Sequence, residues 1–98
     1  MTTTATTNPT VVSKESIEGL SFPVNEVLND PAQIKQRMTD LERALSLGNL
    51  EHSKIRINFE DSAGLKQVDT TIWGITDKRV ILKQGVVIPI NRIHSVRL

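Results

Sequence analysis

Residues 79–98 read R-V-I-L-K-Q-G-V-V-I-P-I-N-R-I-H-S-V-R-L, and this stretch decides the fold that the sequence predicts. Two largely apolar runs, at 80–83 and 86–90, are separated by Gln84 and Gly85, which indicates two strands joined by a short turn. Pro89 cannot donate a backbone hydrogen bond, so it must lie on a sheet edge or at a strand end. Residues 91–93 fit one helical turn before a last strand at 94–98. The stretch therefore predicts the final strands of a small β-barrel.

The residues before this stretch predict two more strands. Ile55, Ile57 and Phe59 alternate with polar residues, which indicates a half-buried strand at 54–60. A turn at 61–64 leads into a longer strand at 65–76, in which the apolar residues change parity. Gly74 explains the change, because a glycine inside a strand often marks a bulge that exchanges the two faces. The sequence thus predicts five strands in all, one of them bent.

A helix is predicted upstream of the strands. Asp30 is suited to cap the free amides of a helix that starts at Pro31, and Gln33 completes a capping box. The helix is predicted at 31–47, with Gly48 as the left-handed residue that ends it. Its apolar residues recur at spacings of four, three and four and form one stripe, which consists of Ile34, Met38, Leu41 and Leu45.

The N-terminal residues carry no periodic apolar face. Residues 1–20 begin with the threonine-rich M-T-T-T-A-T-T-N-P-T and are predicted to form a disordered tail. Residues 21–98 are predicted to form one α+β domain, in which an N-terminal helix precedes a small five-stranded antiparallel β-barrel of SH3-like or Sm-like type. A chain of 98 residues is long enough for one modest core of this kind.

Composition excludes several classes of protein. The sequence has no cysteine, which excludes disulfides, zinc–thiolate sites and thiol nucleophiles and makes the cytoplasm the expected compartment. The N-terminal residues have neither the basic region and apolar run of a secretory signal nor the apolar length of a membrane span. The five glycines are scattered singly, so the sequence has no glycine-rich phosphate loop.

The net charge of +1 conceals a division of charge along the chain. Residues 1–52 carry four basic and seven acidic groups, whereas residues 53–98 carry eight basic and four acidic groups. The predicted strands therefore lie in the basic half. Such an asymmetry indicates an anionic partner or, alternatively, two segments of one fold that attract each other.

Residues 80–97, V-I-L-K-Q-G-V-V-I-P-I-N-R-I-H-S-V-R, resemble the end of a small domain of archaea and eukaryotes. That domain is proposed to recognise RNA ends that bear cyclic phosphates, and its hallmark is I-P-x-H-R-I. Ile88, Pro89, Arg92 and Ile93 match the hallmark, whereas Asn91 stands in place of the histidine. The resemblance implies that the protein binds RNA.

A second resemblance lies in residues 76–82, T-D-K-R-V-I-L. This run is similar to the T-x-x-R-aliphatic strand of bacterial PH-like domains. The similarity implies contacts with lipid, with peptide or with a second copy of the protein.

The candidate nucleic-acid-binding residues are basic and lie on or beside the last strands. They are Lys78, Arg79, Lys83, Arg92, His94 and Arg97. Each also has a structural interpretation: a solvated surface for most, a clamp onto backbone carbonyls for Arg92, and a half-buried rim position for His94. Lys83 and Arg97 lie opposite the inward parity of Leu82 and Val96, so we expect them on one side of the barrel with Arg92.

Contact with phosphates is the predicted mode of binding. Phe22, Phe59 and Trp73 are the only aromatic residues, which disfavours base stacking. Catalysis is not expected either. His94 and Ser95 are neighbours on a predicted strand and face opposite ways, and two histidines without cysteines or clustered carboxylates make a poor metal site.

The sequence thus predicts a non-enzymatic module, without metal or cofactor, that binds RNA through a basic face. The alternative is a protein-interaction or self-assembly module that uses the helix stripe and the edges of the barrel.

Overall fold

One long helix and two β-sheets form the fold in the computed structural model, which describes residues 9–98. The helices are α1 (Lys14–Ile17) and α2 (Pro31–Glu51). The strands are β1 (Thr10–Val11), β2 (Ile55–Asp61), β3 (Gly64–Thr70), β4 (Ile72–Ile75), β5 (Arg79–Leu82), β6 (Val87–Pro89) and β7 (Ile93–Arg97). Two 3-10 turns, Lys83–Gly85 and Ile90–Arg92, flank β6. The described residues therefore form a mixed α+β fold, as predicted.

The strands form two open sheets and not a closed five-stranded barrel. The larger sheet has the order β1-β3-β2-β7, and the smaller sheet has the order β4-β5-β6. Neighbouring strands are antiparallel except for β1, which runs parallel to β3. The predicted barrel is therefore wrong in closure and in strand number. Two features give seven described strands: the N-terminal segment contributes β1, and the predicted strand at 65–76 is divided into β3 and β4.

The chain passes from the larger sheet to the smaller one at Thr71. This residue lies between β3, which ends at Thr70, and β4, which begins at Ile72. The register of β4 against β5 shifts between Ile72 and Gly74, so that Trp73 is the extra residue. This irregularity confirms the bulge that Gly74 predicts. Ile72 is fully buried beside the bulge, whereas Trp73 is 53% exposed.

Helix α2 begins where its capping signal predicts but extends beyond the predicted end. Asp30 Oδ1 accepts a hydrogen bond from the Ala32 amide at 2.9 Å. The helix continues to Glu51, and His52 is the left-handed cap, with φ 55° and its amide donating to the Gly48 carbonyl at 3.1 Å. The prediction that Gly48 ends the helix is wrong. Gly48 lies within α2 and packs closely on β4, where a Cβ would come 2.6 Å from the Ile72 carbonyl oxygen.

Helix α2 covers the seam between the two sheets. It packs on β4 and β7, which are edge strands of the smaller and the larger sheet. Its buried face consists of Arg37, Leu41, Ala44 and Gly48. The predicted stripe is therefore only partly correct: Leu41 is fully buried, whereas Met38 and Leu45 pack at the margin of the core. These three residues of the stripe therefore pack within their own domain.

The core lies between the sheets and beneath α2. Ile57, Leu82 and Ile88 lie in the middle of predicted strands, and the sequence therefore predicts that they share one core. All three are fully buried in one cluster, which confirms this prediction. Phe59 and Ile93 are also fully buried in this cluster. All three sequence-predicted core residues therefore contribute to a single interior.

The segment before α2 belongs to the fold. β1 pairs with β3, and Ile17 of α1 lies in the core with 2% of its surface exposed. The Phe22 ring packs on Phe59, with ring centroids 6.0 Å apart. The predicted tail therefore does not hold for residues 9–20, because Val12, Ile17 and Leu20 pack in or against the core. Residues 1–8 of the predicted tail lie outside the described residues.

A buried ion pair joins this segment to α2 and to β7. The Arg37 side chain is 4% exposed, and its two terminal nitrogens donate to the two carboxylate oxygens of Glu26, each at 2.7 Å. Arg37 Nη1 also donates to the Ile93 carbonyl at 2.9 Å. The hydrogen bonds from Arg37 lower the pKa of Glu26. One guanidinium thus connects three parts of the chain.

Replacement of Gly48 by alanine is expected to destabilise the domain. In an exposed helix this change stabilises by about 1 kcal/mol, but here the new Cβ would meet a backbone carbonyl oxygen at 2.6 Å. We expect the free energy of unfolding to fall by roughly 1–3 kcal/mol in urea denaturation. Gly19→Ala is the control, because its Cβ would lie 3.8 Å from the nearest atom. A more stable Gly48→Ala protein would contradict this packing.

Loss of the Glu26 carboxylate is expected to lower stability in a pH-dependent way. Because the pKa of Glu26 is lowered in the fold, its contribution is present above its unfolded pKa and is lost as pH falls through the folded pKa. Glu26→Gln should lower the free energy of unfolding by roughly 2 kcal/mol at neutral pH. In denaturation at a series of pH values, the difference from the natural protein should shrink below about pH 4.

The matched control for this experiment is Glu42→Gln, because Glu42 lies on the exposed face of α2. We expect this variant to follow the natural protein at every pH. A Glu26→Gln deficit that is the same in acid as at neutral pH would show that the carboxylate charge is not what holds Arg37.

Candidate nucleic-acid interface

The structure places the six predicted binding residues in separate environments. Lys83 and Arg97 are exposed. Lys78 and Arg79 line a different groove, and both Arg92 and His94 contact Glu60. The predicted residues therefore do not form one continuous face.

Arg92 acts as a clamp inside the fold. It is 5% exposed, and its Nε donates to the Glu60 carbonyl at 3.1 Å while Nη1 donates to the Asn25 carbonyl at 2.8 Å. Its Nη2 lies 3.7 Å from a Glu60 carboxylate oxygen. This confirms the structural interpretation of Arg92 as a clamp onto backbone carbonyls. Arg92 joins β2 to the segment before α2.

His94 lies on the outer side of β7 and not in the interior. Asn58 pairs with Ser95 and Phe59 pairs with Ile93, so His94 is an extra residue at an irregularity in β7. Its Nε2 lies 2.8 Å from Glu60 Oε1, and 31% of its side chain is exposed. Simple alternation along the strand would point His94 inward like Val96, and the irregularity explains why it does not.

Lys78 and Arg79 line a groove of mixed charge. The groove has a volume of about 710 Å³, and its lining also includes Glu26, Arg37 and Asp77. The turn that presents the two cations is held by Thr76, whose Oγ1 accepts hydrogen bonds from the amides of Lys78 at 3.2 Å and Arg79 at 2.9 Å. Acidic groups beside the cations weaken the attraction of this groove for a polyanion.

Trp73 lies in a more basic groove, which we call the Trp73 groove. It has a volume of about 500 Å³. Its lining consists of Lys14, His52, Lys54, Asp69, Thr70, Thr71, Trp73 and Lys83. Three lysines and one carboxylate thus line the same groove as Trp73, which is 53% exposed. Cations beside an exposed aromatic ring are suited to phosphates and to planar bases.

Distant segments of the chain meet in the Trp73 groove. Lys14 comes from α1, His52 from the cap of α2, Lys54 from the residues before β2, Trp73 from the bulge in β4 and Lys83 from the 3-10 turn after β5. The Lys83 amide donates to the Thr71 carbonyl at 3.0 Å, and Thr71 Oγ1 donates to the Ser53 carbonyl at 3.3 Å. These hydrogen bonds join the bend at Thr71 to Lys83 and to Ser53, the residue before Lys54.

Another groove, of about 330 Å³, adjoins the Trp73 groove. The two grooves share Lys54 and Asp69, and the second also contains Arg56 and Arg97. Arg56 and Arg97 are direct partners on β2 and β7, and like charges in this position repel each other. Arg56 donates to Asp69 from Nε at 2.7 Å and Nη2 at 3.0 Å, and these bonds lower the pKa of Asp69. We call the two grooves together the basic surface.

Ion pairs neutralise only part of the basic surface, because Lys14 pairs with Glu15 and Arg56 pairs with Asp69. In the described part of the chain, every ion pair joins partners of the same half: Lys14–Glu15, Glu26–Arg37, Arg56–Asp69, Lys66–Asp61, Arg92–Glu60 and His94–Glu60. Lys54, Lys83 and Arg97 have no ion-pair partner among residues 9–98. The ion pairs of the described residues therefore do not join the two halves of the chain.

Residues 9–98 contain neither a metal-binding cluster nor a membrane-spanning helix. No group of three histidine, aspartate or glutamate side chains in this range is placed to hold a metal ion. Neither α1 nor α2 combines the length and the apolar character needed to cross a bilayer.

Two predicted binding residues, Lys83 and Arg97, lie in the basic surface, and the other members of that surface were not predicted. Trp73 entered the sequence argument only as one of few aromatic residues. Its position next to Gly74 was the available signal, because a bulge controls where its residues point. The sequence does not predict Lys14 as a member of the groove, because Lys14 lies in the segment 1–20 that is predicted to form a tail.

Comparison with known proteins adds no assignment to these grooves. No protein-family model, curated protein or solved structure matches this chain. The function is therefore inferred from the basic surface itself.

Quenching of Trp73 fluorescence is expected to report the charge of the Trp73 groove. The chain has one tryptophan and no tyrosine, so its emission comes from this position. The surrounding lysines should attract iodide and repel caesium, so iodide should be the better quencher at low ionic strength. Added sodium chloride should narrow the difference. Lys83→Gln should reduce the preference for iodide, and Lys35→Gln on α2 is the control. Equal quenching by the two ions would contradict a basic groove.

Proposed function

We propose that this protein is a non-enzymatic module that binds RNA through the basic surface. The observation that carries the proposal is that three cations of this surface, Lys54, Lys83 and Arg97, have no ion-pair partner among residues 9–98. Such cations bind phosphate backbones because each neutralised phosphate releases condensed counterions. The two adjoining grooves give an extended ligand a path from Arg97 past Lys54 to Lys83.

A polyphosphate fits this surface better than an acidic protein does. Lysine is depleted from protein–protein interfaces, yet Lys14, Lys54 and Lys83 all line the Trp73 groove. The resemblance of residues 80–97 to a domain that recognises RNA favours RNA over other polyphosphates as the ligand.

The proposed contacts are with the RNA backbone and not with a terminal cyclic phosphate. Asn91 stands where the resembling family has its hallmark histidine, and its amide donates to the Val24 carbonyl at 2.6 Å. Arg92, the next residue of the hallmark, is 5% exposed and holds backbone carbonyls. Both side chains are engaged within the fold, which favours binding along the backbone.

The proposal also includes a fold relationship and a cellular compartment. β3 and β4 act as one bent strand, and the 3-10 turn Ile90–Arg92 precedes the last strand. These features support a relationship to SH3-like and Sm-like folds in which the two sheets remain open. The absence of cysteine from the sequence supports action in the cytoplasm.

Self-assembly is the second candidate function, and the edge of the smaller sheet favours it. β6 pairs only with β5 in the described residues, and Val87 on β6 is 41% exposed. An unpaired edge of this kind is able to pair with a second copy. The helix stripe supports assembly less well, because Leu41 is fully buried in its own domain.

RNA affinity is expected to fall steeply as salt rises. Lys54→Ala, Lys83→Ala and Arg97→Ala should each weaken binding to unstructured RNA and flatten the plot of log affinity against log salt by about 0.7 per lost phosphate contact. Fluorescence anisotropy with labelled RNA at several salt concentrations measures both quantities. Lys35→Ala removes the same charge from α2 and is the matched control. Lys78→Ala should have a smaller effect, because Lys78 lines the groove of mixed charge.

Two results would contradict the RNA proposal. The first is a lack of detectable binding to any RNA at low salt. The second is an effect of Lys35→Ala equal to that of Lys83→Ala, which would mean that total charge and not the basic surface determines affinity. A missing RNA interaction together with concentration-dependent light scattering that Val87→Lys abolishes would favour self-assembly instead.

A further inference from the structure

Trp73 lies outside the hydrophobic core of the fold. It is 53% exposed and belongs neither to the buried core cluster nor to the residues packed on that cluster. Its neighbours Thr71 and Ile72 are buried. The bulge in β4 therefore separates a core residue from a large aromatic ring that faces the Trp73 groove. An exposed ring of this kind offers a flat face on which a planar ligand can stack.

The side chains around the ring decide what kind of ligand fits. Lys14, Lys54 and Lys83 line the same groove. An apolar protein partner would have to remove these ammonium groups from water, at a considerable cost in free energy. A nucleotide avoids this cost, because its planar base covers the indole while its phosphates meet the lysines.

The indole is presented by an ordered part of the fold. Thr70 and Thr71 in the floor of the groove are 3% and 6% exposed. Hydrogen bonds join Thr71 to Lys83 at 3.0 Å and to Ser53 at 3.3 Å. The backbone that carries Trp73 is therefore already ordered, so a ligand that stacks on the ring does not have to order it, and less of the stacking energy is lost.

We infer that Trp73 stacks on one unpaired base, which makes the module selective for single-stranded RNA over duplex RNA. The inference rests on the proposed RNA-binding function and specifies its ligand. In the interior of a duplex each base is paired and stacked, so its face reaches a protein ring only after it is flipped out. Phosphates are accessible in both forms. The lysines therefore contribute to binding of both forms, whereas Trp73 contributes only to binding of the single strand.

The test compares three ligands that carry the same number of phosphates. They are an unstructured oligouridylate, an abasic ribose-phosphate oligomer and a blunt RNA duplex. The natural protein should bind the oligouridylate about 5- to 150-fold more tightly than the abasic oligomer. The two should show the same salt slope, because both offer the same phosphates. Oligouridylate should also quench the fluorescence of Trp73, the only tryptophan of the chain, more strongly than the other two ligands.

Variants of Trp73 separate stacking from simple apolar contact. Trp73→Leu retains apolar bulk without an aromatic face, and it should weaken binding to the oligouridylate about tenfold or more at every salt concentration. Its salt slope and its affinity for the abasic oligomer and the duplex should not change. Trp73→Phe retains a smaller ring and should restore part of the loss. An equal loss for all three ligands would overturn the stacking role.

The failure of this inference is distinguishable from the failure of the proposed function. If the natural protein binds oligouridylate and abasic oligomer equally, with a steep dependence on salt, the stacking inference is overturned and RNA binding stands. If none of the three ligands binds at low salt, the proposed function falls and the inference falls with it. The comparison of ligands uses the natural protein and is therefore valid even if a Trp73 variant is unstable.

Discussion

The close approach of α2 to two sheet edges is the constraint on which the structure depends. The two sheets share no strand in the described residues, so β4 and β7 leave a seam with unpaired edges between them. Gly48 lets the helix backbone come so close to Ile72 that a Cβ would lie 2.6 Å from its carbonyl oxygen. On the same buried face of the helix, Arg37 donates to the Ile93 carbonyl of β7 at 2.9 Å. A helix thus covers edges that a closed barrel would pair with each other.

The basic surface depends on the same constraint. Because Gly48 packs within α2 and does not end it, the helix continues to Glu51 and the chain turns at His52. This turn brings Lys54 to the Trp73 groove. β4 lies beneath the helix with Ile72 fully buried, and the bulge that follows leaves Trp73 exposed on the groove. The packing that closes the seam therefore also assembles the candidate interface.

Local patterns predicted the parts of the fold that local chemistry determines. Asp30 and Pro31 marked the start of α2, Gly74 marked the bulge, and the alternation around Ile57 marked β2 and its core face. The end of α2 was mispredicted because the tertiary contact of Gly48 outweighs its preference for a helix end.

Features that depend on long-range packing were not predictable from the same patterns. Ile17 fills the core from a segment without any period, and whether sheet edges pair or remain open leaves no local signature. The candidate site follows the same division. Parity indicated that Lys83 and Arg97 are exposed, but the meeting of Lys14, Lys54 and Trp73 requires three distant segments to pack together. The sequence allowed Arg92 to be either an exposed binding residue or a buried clamp onto carbonyls, because the local pattern is the same in both cases. The structure shows that it is buried.

The charge of the whole molecule explains why a base contact matters for the proposed function. The net charge is +1, so attraction of the whole protein to a polyanion is weak, and at physiological ionic strength it is screened beyond about 8 Å. Ion pairs in the described residues occupy Lys14 and Arg56 of the basic surface and leave Lys54, Lys83 and Arg97 without an ion-pair partner. Binding must therefore arise from contacts made at the surface itself. A few phosphates held by Lys54, Lys83 and Arg97 give modest affinity, and a stacked base on Trp73 adds a contribution that salt does not screen.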